Sequence, residues 1–360
     1  MSLQLTKLDS PRVAGYEEVW VARDSDASYH AILAIHNTQR GPALGGTRLM
    51  RYANDDAALT DVLRLARGMT YKNAVAGLNL GGGKSVIIGD NKTADREMIF
   101  RAHGRFVESL GGRYITAEDV GTSTADMDYV HMETDYVSGL AGRSGDPSPV
   151  TAHGVFRAIQ ASAKSRWGSD DLSNRTVAVQ GCGHVGYYLA KELHEAGAKL
   201  VVTDIDVDRV KRVVNEFAAR AVSSEEIYGV QADIFAPCAL GAIINDTTIP
   251  QLKVEIVAGA ANNQLLEERH GDALEARNIM YAPDYVANAG GVINVYSELA
   301  GWTSARSFRK ADEIYETILK VFEIARVEKI PTYLAADRLA EQRIHAVGSM
   351  VRTWPQWPNK

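Results

Sequence analysis

The sequence predicts a two-domain protein of the α/β class, and three observations carry that prediction. At 360 residues the chain exceeds what one ordinary hydrophobic core fills, so two domains are expected. Its 31 glycines, with 46% hydrophobic and 23% charged residues, fit a folded chain rich in tight turns rather than a disordered one. Between 176 and 204 an apolar run, a glycine-rich turn, a helical pattern and a second apolar run follow one another, the rhythm of a βαβ unit in a parallel sheet.

Composition also narrows the partners. A formal net charge of −6 offers no chain-wide positive field, so a small molecule is expected rather than nucleic acid or an anionic membrane. The start, Met1-Ser-Leu-Gln-Leu-Thr-Lys-Leu-Asp-Ser-Pro, carries charges where a signal peptide needs an apolar run, and no stretch approaches about 18 apolar residues. A cytoplasmic protein is expected. The only cysteines, Cys182 and Cys238, are far apart in sequence, and the nine histidines lack ligand spacing, so no metal is implied.

In chain order, residues 17–22 and 30–36 are mainly apolar and read as strands with a buried face. The second leads into Gly41-Pro-Ala-Leu-Gly-Gly-Thr-Arg48, read as a glycine-rich loop. Asn54 then offers an N-cap to a helix with Asp55 and Asp56 in its first turn and Leu59, Val62, Leu63 and Ala66 at helical spacing. That helix delivers the chain to Met69-Thr-Tyr-Lys72. The stretch Leu78-Asn-Leu-Gly-Gly-Gly-Lys-Ser-Val86 reads as a glycine turn ending in one lysine, suited to close approach of backbone and ligand. A loose turn with a solvated lysine competes with that reading. Gly83-Lys84-Ser85 looks like the end of a P-loop, but Leu78 stands where the motif needs glycine, which removes nucleotide hydrolysis. A strand over 85–88, a helix over 95–110 and a strand over 113–119 ending in two carboxylates follow. Residues 141–149 have the composition of a linker, and 150–167 reads as a helix.

The strand Thr176-Val-Ala-Val-Gln180 runs into Gly181-Cys-Gly-His-Val-Gly186, then a helix through Leu189 and Leu193, then a strand over 199–203 that ends at Asp204. This is the context that a dinucleotide-binding fingerprint needs. Gly181 makes the tight turn, Gly183 lets a pyrophosphate reach helix amides, and Gly186 lets helix and sheet pack. The Asp204 carboxylate accepts from ribose hydroxyls and repels a 2′-phosphate, so NAD is favoured over NADP. A phosphate-free glycine turn is the bland alternative. Three short strands, within 233–239, 255–262 and 279–285, finish in small or polar residues that should face the cofactor, which makes Asn262 and Asn288 candidates beside an equally plain role as turn residues. Residues 308–327 and 333–351 read as two amphipathic helices, and Trp354-Pro-Gln-Trp-Pro358 as a tail packed on this chain or a sister subunit.

Taken together, Gly41-Pro-Ala-Leu-Gly-Gly-Thr-Arg48, Met69-Thr-Tyr-Lys72, Gly81-Gly-Gly-Lys84 and Thr116-Ala-Glu-Asp-Val-Gly-Thr122 resemble the amino acid dehydrogenases of the glutamate, leucine, phenylalanine and valine superfamily, nearest to its leucine-type branch. The likeness continues through Pro147-Ser-Pro-Val-Thr-Ala152, Phe235-Ala-Pro-Cys-Ala-Leu-Gly241, Ala260-Ala-Asn-Asn-Gln264 and Ala282-Pro-Asp-Tyr-Val-Ala-Asn-Ala-Gly-Gly291, and so covers nearly the whole chain. It implies an N-terminal α/β substrate and oligomerisation domain over 1–140, rejoined by 332–360, and a Rossmann-type NAD-binding domain over 141–331, separated by a cleft. It further implies a homo-oligomer, with an octamer expected, and NAD-dependent reversible oxidative deamination of an L-amino acid to a 2-oxo acid and ammonia.

Residue by residue, the resemblance has Lys72, beside Met69, pair with the substrate carboxylate with help from the amides of Gly45 and Gly46. Lys84 activates water against the imine carbon, which needs a lysine pKa lowered toward about 7 to 8. Asp119 exchanges protons with the substrate nitrogen and partners Lys84. Thr151, Ala239 and Asn262 approach the nicotinamide end, Asn288 contacts substrate beside the cofactor, and His184 and Val185 belong to the dinucleotide fingerprint. His184 departs from the asparagine expected there, beside an unusual Cys182. The implied pocket positions Leu44, Ala117, Val292 and Val295 are aliphatic, which disfavours glutamate and suits leucine, isoleucine or valine, with phenylalanine or tryptophan as the alternative. Two competing readings stand beside this one: a catalytically silent NAD-binding assembly protein, and a 2-hydroxy-acid dehydrogenase that turns over without ammonia.

Overall fold

The structure is a computed structural model that describes residues 3–143 and 145–350. The tail tryptophans Trp354 and Trp357 lie outside the described residues. Contacts between residues divide the chain into two units: Met1–Gly145 with Glu298–Ala300 and Ala340–Lys360, and Asp146–Ser297 with Gly301–Leu339.

The first unit contains β1 (Gln4–Lys7), β2 (Glu18–Asp24), β3 (Tyr29–Asn37), β4 (Ala43–Met50), α1 (Asp55–Val75), β5 (Gly81–Ile88), α2 (Arg96–Ser109), β6 (Tyr114–Glu118) and α3 (Thr124–His131). Its six-stranded sheet has the order β1-β2-β3-β5-β4-β6. Pairing is antiparallel from β1 to β5 and parallel where β4 joins β5 and β6. β3 reads as a continuous apolar run because both faces are covered. Ile32 and Ala34 pack with Leu59, Val62 and Ala66 of α1, while Leu33 and Ile35 belong to the cluster holding Phe100 and Phe106 of α2. Each fully buried side chain of this size stabilises by about 1.5–3 kcal/mol, which fixes the register of the central strands.

Two glycine-rich stretches differ from expectation here. Gly45 and Gly46 lie inside β4, and Gly81 to Gly83 open β5, so neither stretch is a loop. Close packing on the protein itself explains why. A Cβ on Gly82 would stand 2.0 Å from the Thr70 amide nitrogen of α1, and one on Gly45 would stand 1.8 Å from the Gly83 carbonyl oxygen.

Helix α1 is also longer than its apolar spacing suggested, because Met69 to Lys72 continue it. Asn54 caps its start, accepting from the Ala57 amide at 2.8 Å. Gly68 in its interior costs only about 1 kcal/mol, and the far end is secured from the C-terminal part of the chain. Arg343 donates to the carbonyls of Ala74 and Val75, and Tyr71 donates to Glu341 at 3.1 Å. The Ala74 carbonyl also accepts from the Gly77 amide at 3.0 Å, and Arg343 adds a donor at a helix end, where the last carbonyls have no intrahelical partner.

The second unit begins with α4 (Ser148–Trp167) and then alternates β7 (Thr176–Gln180), α5 (His184–Glu195), β8 (Lys199–Thr203), α6 (Val207–Phe217), β9 (Arg220–Ala221), β10 (Ile234–Pro237), β11 (Ile256–Val257), α7 (Arg269–Ala276) and β12 (Met280–Tyr281). All pairs in its sheet are parallel, in the order β12-β11-β10-β7-β8-β9. The chain leaves β7 toward β8 on one side and returns to β10 on the other, so β7 marks the point where strand order reverses. α8 (Asp284–Ala287) and α9 (Gly290–Ala300) follow. Where two C-terminal helices were expected there are three: α10 (Ser304–Asp312), α11 (Ile314–Glu328) and α12 (Thr332–Gly348). Thr303 caps α10 by accepting from the Arg306 amide, a start signal hidden inside an unbroken polar stretch.

Candidate active site

In the first unit the candidate residues converge on the face of the sheet that carries α1. Side chains alternate along strands, and Thr47 bonds to both Ser85 and Thr116 below the sheet. The same alternation therefore turns Leu44, Gly46 and Arg48 of β4, Lys84 of β5 and Ala117 of β6 to the upper face. Lys84 is only 5% exposed, and its Nζ lies 2.9 Å from Oδ2 of Asp119, which directly follows β6. Gly46 makes room for that carboxylate, since a Cβ there would stand 2.8 Å from the Asp119 Cβ. The Asp119 amide donates to Thr122 Oγ1 at 2.8 Å, and that hydroxyl donates to the Thr47 carbonyl at 3.0 Å, which fixes the strand end.

The pair is chemically uneven. Burial pushes the Lys84 amine below its usual 10.5, and the Arg48 cation adds to this against the opposing pull of Asp119 and Asp61. Burial pushes the Asp119 carboxyl up, but Lys84 and Arg48 outweigh it and hold Asp119 below the ordinary carboxylate range. The result is an ionised acid beside an amine that gives up its proton readily. Lys72 occupies the last turn of α1, half-buried, two residues beyond Thr70, where Gly82 of β5 abuts the helix. Met69 lies half-buried in the same turn, while Leu44 and Ala117 are buried.

A residue that the sequence left without a role completes this cluster. Arg48 Nε donates to Asp119 Oδ2 at 2.9 Å, and its Nη1 donates to Asp61 of α1, also at 2.9 Å. Tyr52 donates to the same Asp61 oxygen at 2.8 Å. Arg48 ends a quoted motif and was open to notice. Asp61 gave no signal, since an acid on an amphipathic helix ordinarily faces water.

Below the sheet, Tyr114 donates to the Gly45 carbonyl at 2.6 Å, and His103 joins Thr47 (2.8 Å) to Tyr29 (2.7 Å). Burial pushes His103 down to about 3, so this layer is uncharged and rigidly bonded.

In the second unit the candidates gather at the carboxyl ends of the parallel strands. Gly181 has φ of +100°, and a Cβ on it would stand 2.9 Å from Ala239. At Gly186 a Cβ would meet the Gly181 carbonyl oxygen at 1.9 Å. At Gly183 the nearest atom is the Arg209 guanidinium, 3.7 Å away, so that side of the turn is open. Gly183 is also the N-cap of α5 and provides no capping side chain, which leaves the first-turn amides from His184 and Val185 onward available to an anion. His184 is exposed and Val185 half-buried. Asp204 accepts from the amides of Cys182 (2.6 Å) and Asp206 (2.9 Å), which ties it to the turn. This open, uncapped turn with a fixed carboxylate fits a dinucleotide.

Asn288 Nδ2 donates to Asn262 Oδ1 at 2.8 Å and to the Ala260 carbonyl at 3.0 Å. Its Oδ1 is buried without a partner, an acceptor that a ligand N–H would satisfy. Thr151, in the first turn of α4, donates to the Pro147 carbonyl. Gly290 and Gly291 let α9 pack there, since a Cβ on Gly290 would lie 2.1 Å from the Val150 carbonyl oxygen. Val292 of α9 is buried and Val295 half-buried.

Comparison with known proteins agrees with this arrangement. Residues 16–136 match the Glu/Leu/Phe/Val dehydrogenase dimerisation domain, and 142–346 match the glutamate/leucine/phenylalanine/valine dehydrogenase domain. The chain is 59% identical to leucine dehydrogenase of Geobacillus stearothermophilus over 92% of its own length and 91% of that protein's. Phenylalanine dehydrogenase of Caldalkalibacillus thermarum is 45% identical over 92% of each. Among solved structures, L-tryptophan dehydrogenase from Nostoc punctiforme superposes with a TM-score of 0.86 at 46% identity, covering 93% of this chain and 97% of that one.

Proposed function

Because the chain belongs to the Glu/Leu/Phe/Val dehydrogenase family, a dinucleotide-binding family, and is an amino acid dehydrogenase, we propose that it catalyses NAD-dependent reversible oxidative deamination of branched-chain L-amino acids through Lys84 and Asp119. The observation that carries this is the buried Lys84 amine 2.9 Å from the Asp119 carboxylate, with its proton affinity lowered. Oxidised NAD supplies a hydride acceptor for the substrate Cα–H.

Lys72 pairs with the substrate carboxylate, helped by Gly45 and Gly46. Loss of hydride from Cα leaves an imine. Lys84 then removes a proton from water as the oxygen bonds to that carbon. Asp119, having taken a proton from the substrate ammonium before hydride loss, returns it to the nitrogen. It then takes the proton of the new hydroxyl as C=O forms and the C–N bond breaks, so that ammonia leaves and a 2-oxo acid remains. Burial of Lys84 lowers its proton affinity, which favours its action as a base.

Three points refine the proposal. Asp204 supports NAD over NADP, since its carboxylate would repel a 2′-phosphate. Leu44, Ala117, Val292 and Val295 support an aliphatic substrate, and the higher identity to the leucine enzyme than to those acting on phenylalanine or tryptophan agrees. The working form is taken to be a cytoplasmic homo-oligomer, an octamer, which light scattering reads directly.

The test is a panel of twenty L-amino acids with NAD⁺ or NADP⁺ at alkaline pH, paired with ammonia dependence of NADH oxidation by the matching 2-oxo acids. Turnover of leucine, isoleucine and valine that requires ammonia in reverse is expected. No NADH formation with any amino acid would point to a silent binder, and reverse turnover without ammonia to a hydroxy-acid dehydrogenase.

A further inference from the structure

Asp119 carries two cations on a single oxygen. Both Lys84 Nζ and Arg48 Nε reach Oδ2 at 2.9 Å. Arg48 is itself anchored at its other end by Asp61, which Tyr52 and Arg64 also hold. A guanidinium that bridges two carboxylates with separate nitrogens fixes direction as well as charge, which an ammonium cannot do from one point. Both Arg48 and Asp61 are only 17% exposed, so solvent screens them weakly.

On this basis we propose that Arg48 is a positioning residue for the deamination chemistry: its bridge from Asp61 to Asp119 holds the Asp119 carboxylate in place beside Lys84. The proposal rests on the function given to Lys84 and Asp119 above. The surrounding groups are consistent with it. From α1 come Asp61, Arg64, Arg67 and Lys72, and Tyr52 lies between β4 and α1. His36 of β3 is neutral, since burial and Arg67 push it down to about 4. From below, Tyr114 and His103 are neutral as well, Tyr114 because burial raises its phenol. Arg48 is a fixed charge that bonds directly to Asp119.

The signs make the proposal testable. Removing the Arg48 cation should raise the proton affinity of Lys84, while removing the Asp61 anion should lower it, because the two act on that amine in opposite senses. The experiment measures kcat/KM for leucine oxidation against pH in Arg48→Gln, Arg48→Lys and Asp61→Asn, with NADH affinity by fluorescence as a control for folding.

In Arg48→Gln the acid limb should move to higher pH by about one unit or more, with kcat at neutral pH about 100-fold lower. Asp61→Asn should move the limb the other way. Arg48→Lys should keep the limb near its original place while kcat stays depressed, because charge is restored without the bridge. Limbs that stay still, or that move in the same direction in Arg48→Gln and Asp61→Asn, overturn the proposal. If Arg48→Gln does not fold, the direction of the Asp61→Asn shift decides. Wild-type protein that forms no NADH from amino acids removes the underlying function and this proposal together, whereas active wild type with unmoved limbs removes this proposal alone.

Discussion

The two glycine motifs of this chain look alike as strings and do different work. In the first unit, Gly45, Gly81, Gly82 and Gly83 face protein on the side where a Cβ would be, so their missing side chains let strands and α1 close on one another around Lys84. In the second, Gly181 and Gly186 also serve packing, but a Cβ on Gly183 would meet the end of the Arg209 side chain, 3.7 Å away, beside uncapped helix amides. One letter therefore marks backbone packing in one unit and, at Gly183, an uncapped helix start in the other. What separates them is whether atoms of the protein already fill the place of the absent methyl.

Alanine substitution breaks or sharpens that contrast. Gly82→Ala should have the largest effect: its Cβ would lie 2.0 Å from the Thr70 nitrogen and 2.4 Å from the Thr70 Cα, and backbone cannot swing aside. A loss at or above about 3 kcal/mol is expected from such overpacking, read as a lower urea midpoint or absence of folded protein. Wild-type stability would show that α1 can shift freely. Gly183→Ala should sit at the other pole, with a urea midpoint near wild type and NADH binding weakened about tenfold, or about 1.4 kcal/mol. Unchanged NADH affinity would mean the open side of the turn is not where phosphate lies.

A smaller contrast concerns protons. In the first unit, burial pushes His103 down to about 3 and burial with Arg67 pushes His36 to about 4. Their folded values lie below the unfolded 6.5, so the folded state binds fewer protons and stability falls as pH drops from about 6.5 toward 3. His153 in the second unit behaves oppositely. Burial lowers it, but bonds to Glu192 (2.9 Å) and Asp312 (3.0 Å) outweigh that and raise it. Its contribution is full below 6.5 and fades as pH rises through the raised value. Urea midpoints between pH 4 and 8 should fall less steeply toward acid in His103→Gln than in wild type. In His153→Gln the loss of stability should be larger at pH 5.5 than at pH 8. Parallel curves for all three proteins would contradict both assignments.

How much of this was legible in the sequence depended on how local the cause was. The Asn54 cap, the strands β7 and β8, and Asp204 follow from neighbours along the chain, and each stands where the pattern put it. The sequence offers β4 as a loop and the opening of β5 as a glycine turn, with a strand only from 85 to 88, because glycine is a poor strand former on its own. Packing against Thr70 of α1, Tyr114 and the neighbouring strands decided otherwise. The same holds for the end of α1, where Arg343 arrives from about 270 residues away to bond the last carbonyls. Lys84 and Asp119 were found through ordered motifs, but the Arg48 bridge to Asp61 is a tertiary pairing that no spacing announces.

The central claim is that Lys84 is the base of an amino acid dehydrogenase, and Lys84→Ala tests it most directly when turnover and NADH binding are measured on the same preparation. Leucine oxidation should fall by at least about 100-fold while NADH affinity, which depends on the second unit, stays close to wild type. Turnover near wild type in Lys84→Ala, with NADH still bound, would contradict the account.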